Sequence, residues 1–329
     1  MADTFRAFRV EKEGDDFIRA VKQLNLTDLP EGDVTVRVAY SSLNYKDALS
    51  ATGNPGVTRN YPHTPGIDAS GTVLASGDER FKEGDEVIVT SYDLGMNTAG
   101  GFGEVIRVPA DWVVPLPDGL SLREAMVIGT AGFTAALCVD ALMHQGFEEG
   151  PVVVTGASGG VGSVAVALLA KLGKEVTAST GSEGAHAMLT DLGATNLIDR
   201  HELSEAQGRP MLKSQYGGAV DTVGGHTLEN LVKTLESHAS VAACGLVGGP
   251  DLDLTVYPFI LRGVNLLGID SQNCPMSKRQ RIWQSLGADW KLDLSSITQE
   301  IGLNDLDKNI DAILAGKTQG RILVRLAEH

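Results

Sequence analysis

Apolar and polar residues alternate through DVTVRVAYSSL (33–43), and the same two-residue period runs through GTVLAS (71–76) and GDEVIVTSY (84–92). Such a period buries one face of a strand, and Gly and Pro recur roughly every ten residues between the runs, so the chain up to about residue 120 predicts a β-rich, barrel-like unit. The period changes at Ser121. SLREAMVIGTAGFTAALCVDAL (121–142) opens with Ser121 and Glu124 at capping-box spacing and continues with apolar residues at helical spacing. Beyond it lie short apolar runs separated by helical stretches: VVVTG (152–156), EVTAST (175–180), AVDTVG (219–224), SVAACG (240–245) and NLLGID (265–270). That alternation predicts a doubly wound parallel sheet. Residues 271–329 are mixed in character and end in GRILVRL (320–326), a strand expected to rejoin the first unit. The predicted layout is a nucleotide-binding domain, 124–270, inserted into a second domain made of 1–123 and 271–329.

Composition narrows the class of partner. A chain of 329 residues, 43% hydrophobic, is long enough for two cores. Its net charge of −15, with no long basic run, sets aside nucleic acid and anionic membrane as main partners and leaves small molecules. Cys138, Cys244 and Cys274 are too scattered for a disulfide framework, which predicts a reducing compartment. The N-terminal MADTFRAFRVEKEGDD carries charge where a signal peptide needs an apolar run, and no run of about 18 consecutive apolar residues occurs. A cytoplasmic protein is expected.

The first candidate chemistry is the glycine turn ASGGVG (157–162) between a predicted strand and a predicted helix. Gly159 admits a pyrophosphate close to the backbone, Gly162 lets helix and strand pack closely, and Ser158, Gly160 and Val161 complete a cradle of N–H groups at a helix N-terminus. Ala157 stands where the usual first glycine would be, so the fingerprint is a variant, and a glycine turn alone also serves packing. The βαβ pattern around it favours a dinucleotide. About twenty residues further on, an NAD site places a carboxylate for the ribose hydroxyls. Here the second strand ends in Ser179, Thr180 and Gly181. The missing acid predicts the 2′-phosphate of NADPH, with Ser179, Thr180 and Ser182 as donors. No arginine follows directly, and Glu183 is near; Arg200, after the strand-like NLID (196–199), is the candidate cation, against the alternative of an ordinary surface arginine.

With these pieces placed, SSLNYKDAL (41–49), TPGIDASGTV (64–73), GDEVIVTSYDLG (84–95), GTAGFTAAL (129–137), GASGGVG (156–162) and TQGRILV (318–324) carry a resemblance spanning nearly the whole chain. The sequence resembles the zinc-free quinone oxidoreductase branch of the medium-chain dehydrogenase/reductase superfamily, more narrowly the YhdH/YhfP type, which includes acryloyl-CoA reductases. The resemblance implies a Rossmann domain inserted into a GroES-like β-barrel domain, NADPH as cofactor, and a homodimer. It also implies no zinc: around LeuAsnTyrLysAsp and ProGlyIleAspAlaSerGly the ligands of zinc-dependent relatives are missing, and three isolated cysteines and seven scattered histidines replace neither the catalytic set nor a four-Cys lobe. His63 reads as a loop residue.

By the same resemblance Asn44, Asp47, Asp68 and Arg321 match the polar residues of the family's active cleft, with Tyr45 beside Asn44. Asn44 and Tyr45 are candidate donors to a substrate carbonyl, and Arg321, held by Asp47 or Asp68, a candidate cation for a developing enolate. The competing reading is a purely structural Asp–Arg pair. Gly245, Leu246 and Ile269, at strand ends, are candidates for the nicotinamide carboxamide, and Thr130 and Thr134 for its ribose or for packing. Cys244, with no base near in sequence, reads as a packing residue. Ser277 and Gln280 have capping-box spacing, which puts Lys278, Arg279 and Arg281 in the first turn of a helix, where its dipole disfavours cations. They are candidates for the phosphates of coenzyme A; the alternative is a solvated basic helix start. Three functions stay open: an NADPH-dependent reductase of α,β-unsaturated carbonyls with acryloyl-CoA as substrate, an NADPH:quinone oxidoreductase, and a non-enzymatic NADPH-binding protein.

Overall fold

The computed structural model describes residues 4–326. The chain divides into two compact units, one running to Thr130 and resuming at Gln272, the other Ala131–Ser271.

The alternating runs of the first unit fold as strands. β1 (Thr4–Glu13) and β2 (Asp16–Asn25) form an antiparallel hairpin, followed by β3 (Val34–Leu43), the short helix α1 (Tyr45–Ala51), β4 (Asp68–Ser76), β5 (Glu86–Thr90), β6 (Val105–Val108) and β7 (Val113–Pro115). In β3, Val34, Val36 and Val38 are buried while Arg37 between them is exposed, the period of two that the sequence shows. Helix α2 (Leu122–Gln145) starts from the predicted cap: the Glu124 N–H donates to Ser121 Oγ at 3.2 Å and the Ser121 N–H to Glu124 Oε2 at 2.9 Å. One 18-residue window of α2 is apolar enough for a membrane span by length and composition, but 83% of it is buried in the protein, as in a core helix.

In the second unit the apolar runs become β8 (Val152–Val154), β9 (Val176–Thr180), β10 (Asn196–Asp199), β11 (Gly218–Asp221), β12 (Ser240–Ala243) and β13 (Asn265–Gly268). They alternate with α3 (Gly160–Lys171), α4 (His186–Asp191), α5 (His201–Ser204), α6 (Gly225–Thr234) and α7 (Tyr257–Arg262). The sheet is wholly parallel in the order β10-β9-β8-β11-β12-β13, the doubly wound arrangement in which ligands bind beyond the C-terminal strand ends. The Val-only β8 is buried throughout, as a strand covered on both faces requires.

The chain then returns to the first unit as α8 (Met276–Gly287), β14 (Thr298–Gly302), α9 (Leu306–Leu314) and β15 (Arg321–Arg325). Here β15 lies between β14 and β3 in a seven-stranded sheet, so the C-terminal GRILVRL run does rejoin the first unit.

The helix that starts at the Ser121 cap breaks at Gly129, whose backbone (φ 52°, ψ −163°) is not helical, so that Thr130 opens its second part. One expectation needs correction. The capping box read at Ser277 does not form: α8 begins two residues before that box would start it, with Pro275 at the N-cap, and Ser277 lies inside it. With the box goes part of the reading of its cations. Arg279 is fully buried, donates to the Thr90 carbonyl at 3.0 Å and to Thr90 Oγ1 at 2.9 Å, and lies over the Tyr92 ring at 4.3 Å. A guanidinium so enclosed braces the fold and does not grip a phosphate; Lys278 is half-buried and Arg281 exposed.

Candidate functional site

The break at Gly129 organises the polar cluster of the first unit. Interrupting a helix leaves N–H groups on one side and carbonyls on the other without helical partners, and buried groups of that kind must be satisfied elsewhere. Asp68 takes one side: its Oδ2 accepts from the Thr130 N–H at 2.9 Å, and its Oδ1 from Thr130 Oγ1 at 2.5 Å. Arg321 takes the other, its Nε donating to the Val127 carbonyl at 2.8 Å. Ser42 Oγ (2.5 Å) and Asn44 Nδ2 (2.8 Å) also donate to Asp68 Oδ2, so both oxygens are occupied. Since the Thr130 hydroxyl proton is committed to Asp68, Ser91 Oγ is the donor in its 2.9 Å contact with Thr130 Oγ1. Gly129 is required twice over: its φ is positive, and a Cβ there would lie 2.5 Å from Ser42 Oγ and 2.7 Å from both Arg321 Nη2 and Asp68 Oδ2.

Asn44 and Asp47 belong to the same cluster through α1. Asn44 precedes the helix, and Asp47 in its first turn accepts from the Asn44 N–H at 2.8 Å and, with its other oxygen, from the Ile67 N–H at 2.8 Å. Arg321 Nη1 reaches Asn44 Oδ1 at 3.4 Å. Burial, helped by the charge of Asp68, pushes the Asp47 carboxyl up from 3.8 to about 7, against the N–H groups that favour its ionised form. Burial also lowers the Arg321 guanidinium from its ordinary value, while Asp68 and Asp47 hold it up. Four of the predicted residues, Asn44, Asp47, Asp68 and Arg321, are thus buried and turned on one another. Tyr45 differs: it is 44% exposed at the first helical position.

In the second unit the glycine turn has the geometry of a phosphate cradle. Gly156 is at φ 55°, and a Cβ on Gly162 would lie 2.3 Å from the Gly156 carbonyl, so strand and helix approach as only glycine permits. At Gly159, before the first residue of α3, a Cβ would meet only the Gly156 carbonyl at 3.3 Å, leaving its outer side open. Ser158 is half-buried, as are Gly160 and Val161. At the end of β9, Thr180 Oγ1 donates to Ser158 Oγ at 3.1 Å and accepts from the Ser182 N–H at 3.2 Å. Ser179 is buried and its carbonyl accepts from the Ala157 N–H at 3.1 Å. Thr180 Oγ1 is thus engaged within the turn, tying Ser158 to the backbone of Ser182. The Arg200 N–H is tied to the Thr180 carbonyl at 3.1 Å while its side chain is exposed.

At the later strand ends Gly245 is half-buried and Leu246 exposed, with the Leu246 carbonyl accepting from Gly249 N–H at 3.0 Å. The Ile269 N–H donates to the Ala243 carbonyl at 3.0 Å, extending the β12–β13 ladder. Thr134 is buried in α2. Cys244 Sγ donates to the Asp221 carbonyl at 3.3 Å, the contact of a packing residue. His63 is buried, its Nε2 2.9 Å from the Gly95 carbonyl. Ser42, Ser91 and Gly129 were missed; the one available signal was a glycine inside an apolar helical pattern.

The two units define a class. Residues 30–118 match the alcohol dehydrogenase GroES-like domain and residues 160–300 the zinc-binding dehydrogenase domain. The chain belongs to the quinone oxidoreductase type of the medium-chain dehydrogenase/reductase superfamily and is an oxidoreductase. It is 49% identical to the acrylyl-CoA reductase AcuI of Ruegeria pomeroyi over 97% of this chain and 98% of that one. The yhdH oxidoreductase of Salmonella enterica, solved with NADP, superposes with a TM-score of 0.95 at 48% identity, covering 98% of this chain and 100% of that one. Bacillus subtilis yhfP, solved with NAD bound, gives 0.95 at 48%, covering 98% and 99%.

Zinc, named in the second matched family, does not fit the residues present. Among the described residues no three His, Cys, Asp or Glu side chains group as metal ligands, and each carboxylate oxygen of Asp47 and Asp68 already accepts from an N–H or O–H donor.

Proposed function

We propose that this chain is an NADPH-dependent reductase of α,β-unsaturated carbonyl compounds, with acryloyl-CoA as its substrate and propanoyl-CoA as product. The carrying observation is the contrast within the polar cluster: a buried, mutually satisfied set (Asn44, Asp47, Asp68, Arg321) fixes the start of α1, and one exposed phenol, Tyr45, stands on it. NADPH supplies a hydride for the β-carbon of the double bond. With no zinc to polarise the carbonyl, the charge that builds on its oxygen is met by hydrogen-bond donors, and Tyr45 is the donor offered, able also to give up a proton. Asn44 and Asp47 orient Tyr45, while Asp68 and Arg321 keep the buried charges matched. In the second unit Ser158, Gly159, Gly160, Val161 and Gly162 cradle the pyrophosphate, Ser158 and Arg200 face the 2′-phosphate, Ser179, Thr180 and Ser182 form the turn beneath it, and Gly245 and Leu246 take the carboxamide. The high identity to an acrylyl-CoA reductase supports the substrate.

Tyr45→Phe is expected to lower kcat with acryloyl-CoA on the order of 100-fold, read from loss of NADPH absorbance, with the KM for NADPH changed less than about twofold. Parent-like turnover would remove Tyr45 from the chemistry, and turnover of a small quinone but not acryloyl-CoA by the parent would make the chain a quinone reductase.

The same reading places the enzyme in the cytoplasm, a reducing compartment that suits its free Cys138, Cys244 and Cys274. It is also read as a homodimer. The edge strand β13 exposes Leu266, and nearby α7 exposes Ile260 and Leu261 at 68% and 64%, a set of apolar side chains suited to a second copy. Sedimentation velocity is expected to show a dimer for the parent and a monomer for Ile260→Glu/Leu266→Lys; a monomeric parent would refute the dimer.

A further inference from the structure

We infer that Glu229 of α6 is a positioning residue for the cofactor: its buried carboxylate latches the loop 244–254, which leaves β12 and carries Gly245 and Leu246. This rests on the reading of those two residues as partners of the nicotinamide carboxamide. The loop is not held by apolar side chains of its own, since Leu246 and Val247 are each 66% exposed and Leu252 is 41% exposed. Packing on the core resumes only at Leu254. The course of the loop therefore depends on bonds to its backbone from the turn and helix beside it.

The near end is stapled to the turn before α6. The Gly248 N–H donates to the Val223 carbonyl at 2.7 Å. A Cβ on Gly224 (φ 75°) would lie 2.7 Å from the Gly249 carbonyl oxygen, and one on Gly225 (φ 51°) 2.7 Å from that of Gly248, so backbone rests directly on backbone. The far end hangs on one side chain. Glu229 is 4% exposed; its Oε1 accepts from the Asp253 N–H at 2.8 Å and its Oε2 from His226 Nδ1 at 3.0 Å. Burial pushes the Glu229 carboxyl up, yet the Asp253 N–H, His226 and Lys233 outweigh it and hold the group below its ordinary value. The latch is thus an ionised acceptor at neutral pH.

Burying a carboxylate is costly unless its oxygens are used. Here one oxygen is used on a neighbour in α6 and the other on a loop residue 24 positions away. Between staple and latch, the loop keeps its course only while Asp253 stays on Glu229. Releasing Asp253 lets Gly245 and Leu246 spread, which weakens the grip on the nicotinamide half of the cofactor. The adenosine half, cradled by the turn between β8 and α3, is not touched by this change.

Isothermal titration with NADPH and with 2′,5′-ADP, which lacks the nicotinamide half, separates the two effects without turnover. Glu229→Ala is expected to weaken NADPH on the order of tenfold, the worth of one hydrogen bond to a charged group, and to leave 2′,5′-ADP within about twofold of the parent. Glu229→Gln, which keeps an acceptor for the Asp253 N–H, is expected to restore most of the NADPH affinity. Asp253→Pro deletes the same N–H from the loop side and is expected to act like Glu229→Ala, so the test survives if one variant fails to fold. Amide hydrogen exchange in the parent is expected to slow across 245–254 when NADPH is added. If it does not, the reading of Gly245 and Leu246 as carboxamide partners fails. If it does, but Glu229→Ala and Asp253→Pro bind NADPH as the parent does, that reading stands and the latch is refuted. Equal weakening of NADPH and 2′,5′-ADP would refute the latch as well, since it would report general damage to the unit.

Discussion

Gly129→Ala is expected to destabilise the protein by about 4 kcal/mol, the sum of roughly 1–3 kcal/mol for an L-residue forced into a glycine-only conformation and roughly 1–3 kcal/mol for overpacking. The site leaves little room to relax. The new methyl would sit within 2.7 Å of Ser42 Oγ, Arg321 Nη2 and Asp68 Oδ2, none of which is the free end of an exposed side chain. Moving any of them costs hydrogen bonds, and letting Gly129 become helical would take the Thr130 N–H away from Asp68 and the Val127 carbonyl from Arg321. At about 2–4 °C per kcal/mol, a thermal melt should show a fall on the order of 10 °C. A melting temperature within about 2 °C of the parent would mean that the helix break is not built into the fold.

Asp68→Leu carries the second large effect. It removes the acceptor of Ser42 Oγ, Thr130 N–H and Thr130 Oγ1 and the nearest acceptor of Asn44 Nδ2, and leaves Asp47 as the carboxylate whose charge still acts on the buried Arg321. Removing one partner of a buried charge pair costs roughly 3–5 kcal/mol, whereas replacing both by apolar residues is often tolerated. The double variant Asp68→Leu/Arg321→Leu is therefore expected to melt higher than Asp68→Leu alone, though below the parent because the backbone groups at the helix break stay unpaired. Denaturant unfolding of the single and double variants checks this. A double variant less stable than the single one would show that Asp68 and Arg321 do not act as a pair.

The strands were legible because their periodicity follows directly from which face is covered. VVVTG and SVAACG read as buried parallel strands and are, and the capping box at Ser121 survives because it is local. The glycine turn was legible for the same reason: Gly159 and Gly162 act within one βαβ unit. What escaped depends on partners distant in sequence. Gly129 stands within an apolar helical pattern, and the groups its break frees find their partners only in Asp68 and Arg321, brought in by β4 and β15. Arg279 reads as surface charge until Tyr92 and Thr90 enclose it. Asn44, Tyr45 and Asp47 are neighbours in sequence, yet α1 buries the first and third and exposes the second, so their division of labour follows from helix geometry around a buried carboxylate.

The most direct test of the reductase reading is to follow deuterium from stereospecifically 4-deuterated NADPH, each epimer in turn, into the product made from acryloyl-CoA. One epimer is expected to give propanoyl-CoA with a single deuterium at the β-carbon and hydrogen from solvent at the α-carbon, read by NMR and mass spectrometry. Propanoyl-CoA without deuterium at the β-carbon from either epimer, or no propanoyl-CoA at all, would contradict it.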